Sequence, residues 1–286
     1  MGRSPAGGLR VSGASEGELL DLAVEAARLA GGLLAERARR GAERSVSAKS
    51  TPTDLVSEAD LAAEQAIREL LAARRPDDGF LGEEGGGEDG TSGLRWIVDP
   101  LDGTINFLFG IPQWSVSVAV ADEAGTVAGA VYDPGREELF TATRAGAAEL
   151  HGTAGTIELE GRSVDPRGAG SEDASGLATA MVATGLAYDA RVRAAQAQVL
   201  AELVPKVRDI RRLGSAALDL CWTAAGRFDA YYERTVKAWD IAAGELICRR
   251  AGLEVLELPE APDLPWGILA ARPGLAGALG EIVGSV

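Results

Sequence analysis

Residues 96–107 read Trp-Ile-Val-Asp-Pro-Leu-Asp-Gly-Thr-Ile-Asn-Phe, and no other stretch restricts this chain as much. Trp96, Ile97 and Val98 form the apolar run of a short buried strand, which delivers Asp99 to its end. Pro100 cannot donate to a ladder, so the strand is expected to stop and turn there. Asp102 comes three residues after Asp99, and Gly103 gives the backbone room. Thr104 can then cap a following helix through its hydroxyl. Two carboxylates and a backbone carbonyl on one tight turn can chelate a hard cation such as Mg²⁺. The helix N-terminus beside them suits a phosphate. Asp99 and Asp102 could equally do no more than cap a turn, so the reading depends on the rest of the chain.

Elsewhere helical and strand patterns alternate. Ser15 to Glu18 reads as a capping box ahead of Leu19, Leu22, Ala23, Ala26, Leu29, Ala30, Leu33 and Leu34 at helical spacing. A second helix is expected from about Asp54 to Arg74, then a Gly/Glu-rich loop from Gly82 to Gly93. Strands are expected over Val116–Val120, Val127–Tyr132 and Leu139–Thr141, and a Gly- and Ser-rich surface connection over Thr153–Ser175. The second half reads strand (Ala178–Ala183), helix (Arg191–Leu203), helix (Ser215–Ala225), strand (Phe228–Tyr232) and helix (Asp240–Ala251). Strands Glu254–Leu258 and Trp266–Ala270 and a helix after Pro273 close the chain. Strand runs mixed with helix runs imply a layered α/β or α+β sandwich. The expected organisation is a flexible tail over residues 1–14 and one domain over 15–286. Its two lobes, 15–175 and 176–286, would carry the metal-binding and substrate sides.

Composition excludes several functions. Asp and Glu number 43 against 28 Lys and Arg, a net charge of −15, which argues against a nucleic-acid backbone as partner. Secretory and membrane-spanning patterns are missing, and Cys221 and Cys248 lack metal-type spacing, so a cytoplasmic protein without disulfides is expected. A Ser-His-Asp triad, a His-rich zinc site or a phosphohistidine would each have to use His151, the single histidine, which sits in a Gly-rich stretch that looks like a turn. Cys221 to Arg227 has the C-x5-R spacing of thiolate phosphatases, but it also reads as a helix with Leu218, Cys221 and Trp222 on one apolar face. Asp99 and Asp102 have two residues between them, against one in the D-x-D of dehalogenase-type phosphatases.

Three further segments carry acids. Gly82-Glu83-Glu84 follows the apolar pair Phe80-Leu81. Lys49-Ser50-Thr51-Pro52-Thr53-Asp54 leads into the second helix, which Asp54 could simply cap. Ala238-Trp239-Asp240 opens an apolar helix, where Asp240 could be a plain N-cap. With Trp96–Phe107, these segments resemble the inositol monophosphatase family closely, in order and at comparable separations, from about Leu19 to the C-terminus. The resemblance implies an αβαβα layered sandwich, two or three Mg²⁺ ions, inhibition by lithium and a homodimer. It implies that Glu83, Asp99 and the Leu101 carbonyl hold one ion, that Asp99, Asp102 and Asp240 hold a second, and that Glu83 serves a weaker third. Thr104 and Asp54 would orient the attacking water, with Lys49 near them, and either that pair or Glu83 would take or steer its proton. Gly103 and Thr104 match phosphate-contacting positions. The substrate implied is a small phosphorylated polyol or sugar, nearest inositol 1-phosphate. It would meet Asp102, Gly214, Ser215, Ala216, Asp240 and Glu233, the last contacting a hydroxyl, although Glu233 could also be a strand-end surface charge. The stretch between His151 and Asp173 departs from the family pattern, which leaves the rim contacts open.

Overall fold

The structure, a computed structural model, describes residues 10–11, 13–40, 46–48, 55–161 and 176–284. Lys49, Asp54, most of the connection after Gly161 and the first nine residues lie outside them. Part of the expected tail is ordered into a hairpin, with β1 (Arg10–Val11) paired to β2 (Ala14–Ser15). The expected capping box then starts α1 (Glu16–Arg40): the Ser15 N–H donates to Glu18 Oε2 at 2.7 Å, and the Glu18 N–H to Ser15 Oγ at 3.2 Å. A short antiparallel pair, β3 (Val46–Ala48) and β4 (Leu55–Ser57), precedes α2 (Glu58–Arg74). The second helix therefore begins later than expected, because the chain first pairs as a strand.

An eight-stranded sheet follows, from β5 (Gly79–Gly82), β6 (Gly86–Glu88), β7 (Arg95–Asp102), β8 (Ser115–Asp122), β9 (Gly125–Asp133), β10 (Glu138–Thr143), β11 (Ala148–Gly152) and β12 (Gly155–Glu158). Its order is β12-β11-β10-β9-β8-β7-β5-β6, with α3 (Thr104–Leu108) between β7 and β8. The second half holds β13 (Met181–Thr184), α4 (Ala190–Leu203), β14 (Asp209–Arg211), α5 (Ala216–Ala224), β15 (Ala230–Arg234), α6 (Ala238–Arg250), β16 (Glu254–Leu258), β17 (Gly267–Ala271) and α7 (Ala276–Val283). These strands form a five-stranded sheet in the order β14-β13-β15-β17-β16.

The layers run αβαβα. Helices α1 and α2 cover one face of the large sheet, α5 and α6 lie between the sheets, and α4 and α7 sit on the outer side of the small one. Helices on both faces explain the unbroken apolar runs of the central strands. In β8, Val116, Val118 and Val120 pack with α1 and α2, whereas Ala119 joins the cluster of α5 and α6.

Three local expectations are corrected. Strand β7 does not stop at Pro100: pairing with β8 resumes at Asp102↔Ser115 after an irregularity between Asp99 and Asp102. Proline is tolerated there because a bulge has already broken the ladder. Part of the Gly82–Gly93 stretch is a hairpin of β5 and β6, not loop alone. His151 lies within β11 rather than a turn, its ring nitrogens 2.9 Å from the hydroxyls of Thr141 and Thr156.

Candidate active site

Of the acids singled out in the sequence, Glu83, Asp99, Asp102, Glu233 and Asp240 converge where β7 and β15 end and α3, α5 and α6 begin. A cavity of about 400 Å³ is lined there by Glu83, Asp99, Leu101, Asp102, Gly103, Thr104, Gly214, Ala216, Glu233 and Asp240, with Arg212 and Lys237 at its wall. A larger concavity of about 480 Å³, beside Phe107, Phe109 and Pro112, is mostly apolar and lacks such acids.

Each acid arrives for a local reason. Parallel pairing of β5 with β7 sets Gly82 against Val98, so Glu83 comes beside Asp99. The turn after Glu83 is pinned by Glu64 of α2, which accepts the N–H groups of Glu84 and Gly85 at 2.8 and 2.7 Å. Asp99 Oδ1 accepts the Leu101 N–H at 2.9 Å, closing a small turn at the bulge. Gly103 has φ +100°, and a Cβ there would stand 2.9 Å from the Gln113 carbonyl oxygen, so only glycine fits. Asn106 Nδ2 donates to the carbonyls of Gln113 and Leu213, both at 2.7 Å, and ties α3 to the approach of α5. Asp240 is the third residue of α6, not its N-cap, and its carboxylate accepts the Lys237 N–H at 2.6 Å.

Asp102 sits on the start of α5. Its Oδ2 accepts the Ser215 hydroxyl at 2.6 Å and the Ala217 N–H at 2.7 Å, and its Oδ1 the Ala216 N–H at 3.2 Å. The positive end of a helix favours such a carboxylate. The donors at Ser215 and Ala216 expected to meet substrate are thus engaged by Asp102.

Thr104 carries the arrangement that sequence reasoning missed. Its hydroxyl lies 2.8 Å from Asp60 Oδ1 and 3.1 Å from the Leu101 carbonyl. Asp60, in the first turn of α2, is fully buried. Asp54 was the expected partner, and it and Lys49 lie outside the described residues. A burial signal was available, because Ala59, Ala63 and Ile67 mark the inward face of α2 and Asp60 falls on that side.

Burial raises the Asp99 carboxyl well above its ordinary range, and the charges of Glu83, Asp102 and Asp240 add to that. Burial also raises Asp240 well above its ordinary value. Asp102 is pushed up to about 6 by burial, against the pull of its hydrogen bonds from Ser215, Ala217 and Ala216. Glu233 is pushed up to about 7 by burial, opposed by the Tyr231 hydroxyl and by Arg212. Acids that raise one another in this way match a site built around positive charge. As they stand, no three acidic, histidine or cysteine side chains among the described residues close round one ion position. Asp102 and Asp240 face backbone N–H groups instead. The donor set of carboxylates and the Leu101 carbonyl is nevertheless all oxygen, which fits a hard divalent cation.

The thiolate reading of Cys221 fails. Cys221 is buried within α5 with its thiol pushed well up by burial, and Arg227 is ion-paired with Glu138 at 2.5 Å.

A profile described as "Inositol monophosphatase family" matches residues 16–283. The chain belongs to the inositol monophosphatase family. Among its relatives, an "Inositol-1-monophosphatase SuhB" of Mycobacterium tuberculosis is 43% identical over 270 residues, covering 91% of this chain and 89% of the relative. A "Nus factor SuhB" of Escherichia coli is 39% identical over 265 residues, covering 91% and 94%. Among solved structures, the extragenic suppressor protein suhB of Bartonella henselae matches with a TM-score of 0.81 at 34% identity, covering 94% of this chain and 99% of that one. An IMPase of Thermotoga maritima matches with a TM-score of 0.78 at 28% identity, covering 93% and 96%. The fold is therefore the family's layered sandwich, and the protein is a phosphatase, a phosphoric monoester hydrolase.

Proposed function

We propose that this phosphatase hydrolyses the phosphate monoester of a small polyol, foremost inositol 1-phosphate to inositol and phosphate, with Mg²⁺. The observation that carries the reading is the Thr104 hydroxyl set against buried Asp60, 2.8 Å away, on the wall of an acid-lined cavity. Glu83, Asp99 and the Leu101 carbonyl would hold one ion, Asp99, Asp102 and Asp240 a second, and Glu83 a third. Bound there, such ions neutralise the phosphate dianion and acidify water.

The chain's own groups do the rest. With its proton given to Asp60, Thr104 Oγ1 turns a lone pair outward to accept from the attacking water and aim it. Asp60 is the carboxylate placed to draw off the proton through that hydroxyl. Lys49 would stand near this pair. Gly103 leaves the backbone open for the phosphate, and Glu233 accepts a hydroxyl of the polyol. The chemistry needs no covalent intermediate.

The reading includes a cytoplasmic homodimer without direct contact to a nucleic-acid backbone, in line with the net charge of −15. No helix among the described residues is long and apolar enough to cross a membrane. Phe109, 74% exposed, and Ile111, 48% exposed, beside the apolar concavity offer a surface for a second copy, which light scattering would test.

The deciding experiment is phosphate release from inositol 1-phosphate, fructose 1,6-bisphosphate, histidinol phosphate and adenosine 3′,5′-bisphosphate, with and without Mg²⁺ and with added Li⁺. Mg²⁺-dependent, lithium-sensitive release led by inositol 1-phosphate is expected. Another leading substrate would keep the chemistry and overturn the role of Glu233. Binding of Mg²⁺ without release from any ester would make the chain a silent homologue.

A further inference from the structure

Glu233 occupies a seat that no motif in the sequence points to. Strands β13 and β15 run parallel, with Thr184 opposite Tyr232, so Gly185 comes beside Glu233 just past the end of β13. Pockets of α/β folds form at such C-terminal strand ends. A Cβ on Gly185 would overlap the Glu233 carboxyl group itself: its carbon and both its oxygens fill the space where a side chain would stand. Tyr231, on the same face of β15 and fully buried, donates its hydroxyl to Glu233 Oε2 at 2.9 Å. Among the described residues no hydrogen bond engages Oε1, and Glu233 lines the cavity. Asp219, a second buried acid on α5, is pushed well up by burial and further by the charge of Glu233, and its Oδ1 has no hydrogen-bond partner among the described residues.

We propose that Gly185 and Tyr231 are positioning residues that fix the Glu233 carboxylate, leaving one oxygen to accept a hydroxyl of a polyol phosphate, and so set the preference for hydroxylated esters. The proposal rests on the polyol-phosphatase reading above and extends it to residues outside the acid cluster. Without the recess at Gly185, the carboxylate is displaced from the cavity floor. Without the Tyr231 hydroxyl, the carboxylate is no longer held in one rotamer. A site that hydrogen-bonds a substrate hydroxyl discriminates strongly against a substrate lacking it, and only while its acceptor stays in place.

The test compares kcat and KM for inositol 1-phosphate and for phenyl phosphate, which has no hydroxyl to offer, in wild type, Gly185→Ala, Tyr231→Phe, Glu233→Ala and the Gly185→Ala/Glu233→Ala double variant. The preference for inositol 1-phosphate should fall about 10- to 100-fold in Gly185→Ala and about 3- to 10-fold in Tyr231→Phe, mostly through KM. In the Glu233→Ala background, Gly185→Ala should change the preference less than about twofold, because the two residues act as one unit. Tyr231→Phe keeps the ring and its packing, so it decides the matter if Gly185→Ala does not fold. Equal losses on both substrates in the single variants, or additive losses in the double, would overturn the positioning role while leaving the polyol reading intact. If wild type releases phosphate from phenyl phosphate at least as well as from inositol 1-phosphate, the polyol reading itself fails, and this proposal with it.

Discussion

Replacing Asp60 by Asn separates the water-orienting pair drawn here from the one the sequence suggested. The Thr104–Asp60 contact is 2.8 Å long and buried at both ends. A hydrogen bond to a charged group contributes about 1.5–3 kcal/mol and one to a neutral group about 0.5–1.5, so Asn, which still accepts from Thr104, forfeits about 1–1.5 kcal/mol. At about 1.4 kcal/mol per decade, that alone is a loss of about 5- to 12-fold in rate. If Asp60 also draws off the water proton, removing that step adds to the loss, since general-base catalysis is worth about 10²- to 10⁴-fold. We therefore expect kcat to fall by at least about 100-fold, with KM within about threefold, because the pair acts on the water and not on the polyol. Asn keeps the size of the side chain and an oxygen that can accept from Thr104, so thermal unfolding should show a folded protein. The assay is Mg²⁺-dependent phosphate release measured beside Asp54→Asn, for which a change below about threefold is expected. Near-normal turnover in Asp60→Asn, with loss in Asp54→Asn, would refute the assignment.

Other outcomes follow from the same geometry. Asp99→Asn should nearly abolish turnover and weaken Mg²⁺ binding by calorimetry, since Asp99 is the acid shared between two proposed ions; near-normal activity would overturn the metal assignment. Glu233 has its carboxyl pushed up to about 7 by burial, so it accepts a hydroxyl fully only once ionised. The preference for inositol 1-phosphate over phenyl phosphate should accordingly rise with pH through about 7 and lose that dependence in Glu233→Gln. Arg234 is buried and donates to the carbonyls of Pro259, Pro265 and Val283 at 2.7, 3.0 and 3.0 Å, tying the end of α7 to the small sheet. Arg234→Met should cost roughly 3–5 kcal/mol in urea unfolding, because three carbonyls lose a charged donor. An unchanged urea midpoint would mean that the carbonyls find other partners.

Much of the fold was readable because local patterns agreed with their tertiary setting. Helices α1, α4, α5 and α6 and strands β8, β9 and β10 lie close to where spacing and capping placed them. Misses came where local preference is weak. The glycines around Glu83 look like loop, yet Leu81↔Gly87 pairing turns part of them into a hairpin. Pro100 looks like a strand end, but with the bulge already there the ladder picks up again two residues later.

The acids of the site follow the same division. Each of Glu83, Asp99, Asp102 and Asp240 stands at the edge of an apolar element, where a carboxylate can face inward, but they were identifiable as a set only because their segments together resemble the family pattern. Their partners were not. Asp54 precedes α2 in the sequence and Asp60 falls in its first turn, and local capping chemistry favours the former. Asp60 reaches Thr104 because α2 packs against the large sheet and brings together two residues 44 positions apart. Asp102 meets the start of α5 across more than a hundred residues, and Glu233 rests over Gly185 only because β13 and β15 are neighbours. Residue type and order set which groups could do this chemistry. Which of them touch is a matter of long-range packing, to which a local pattern is blind.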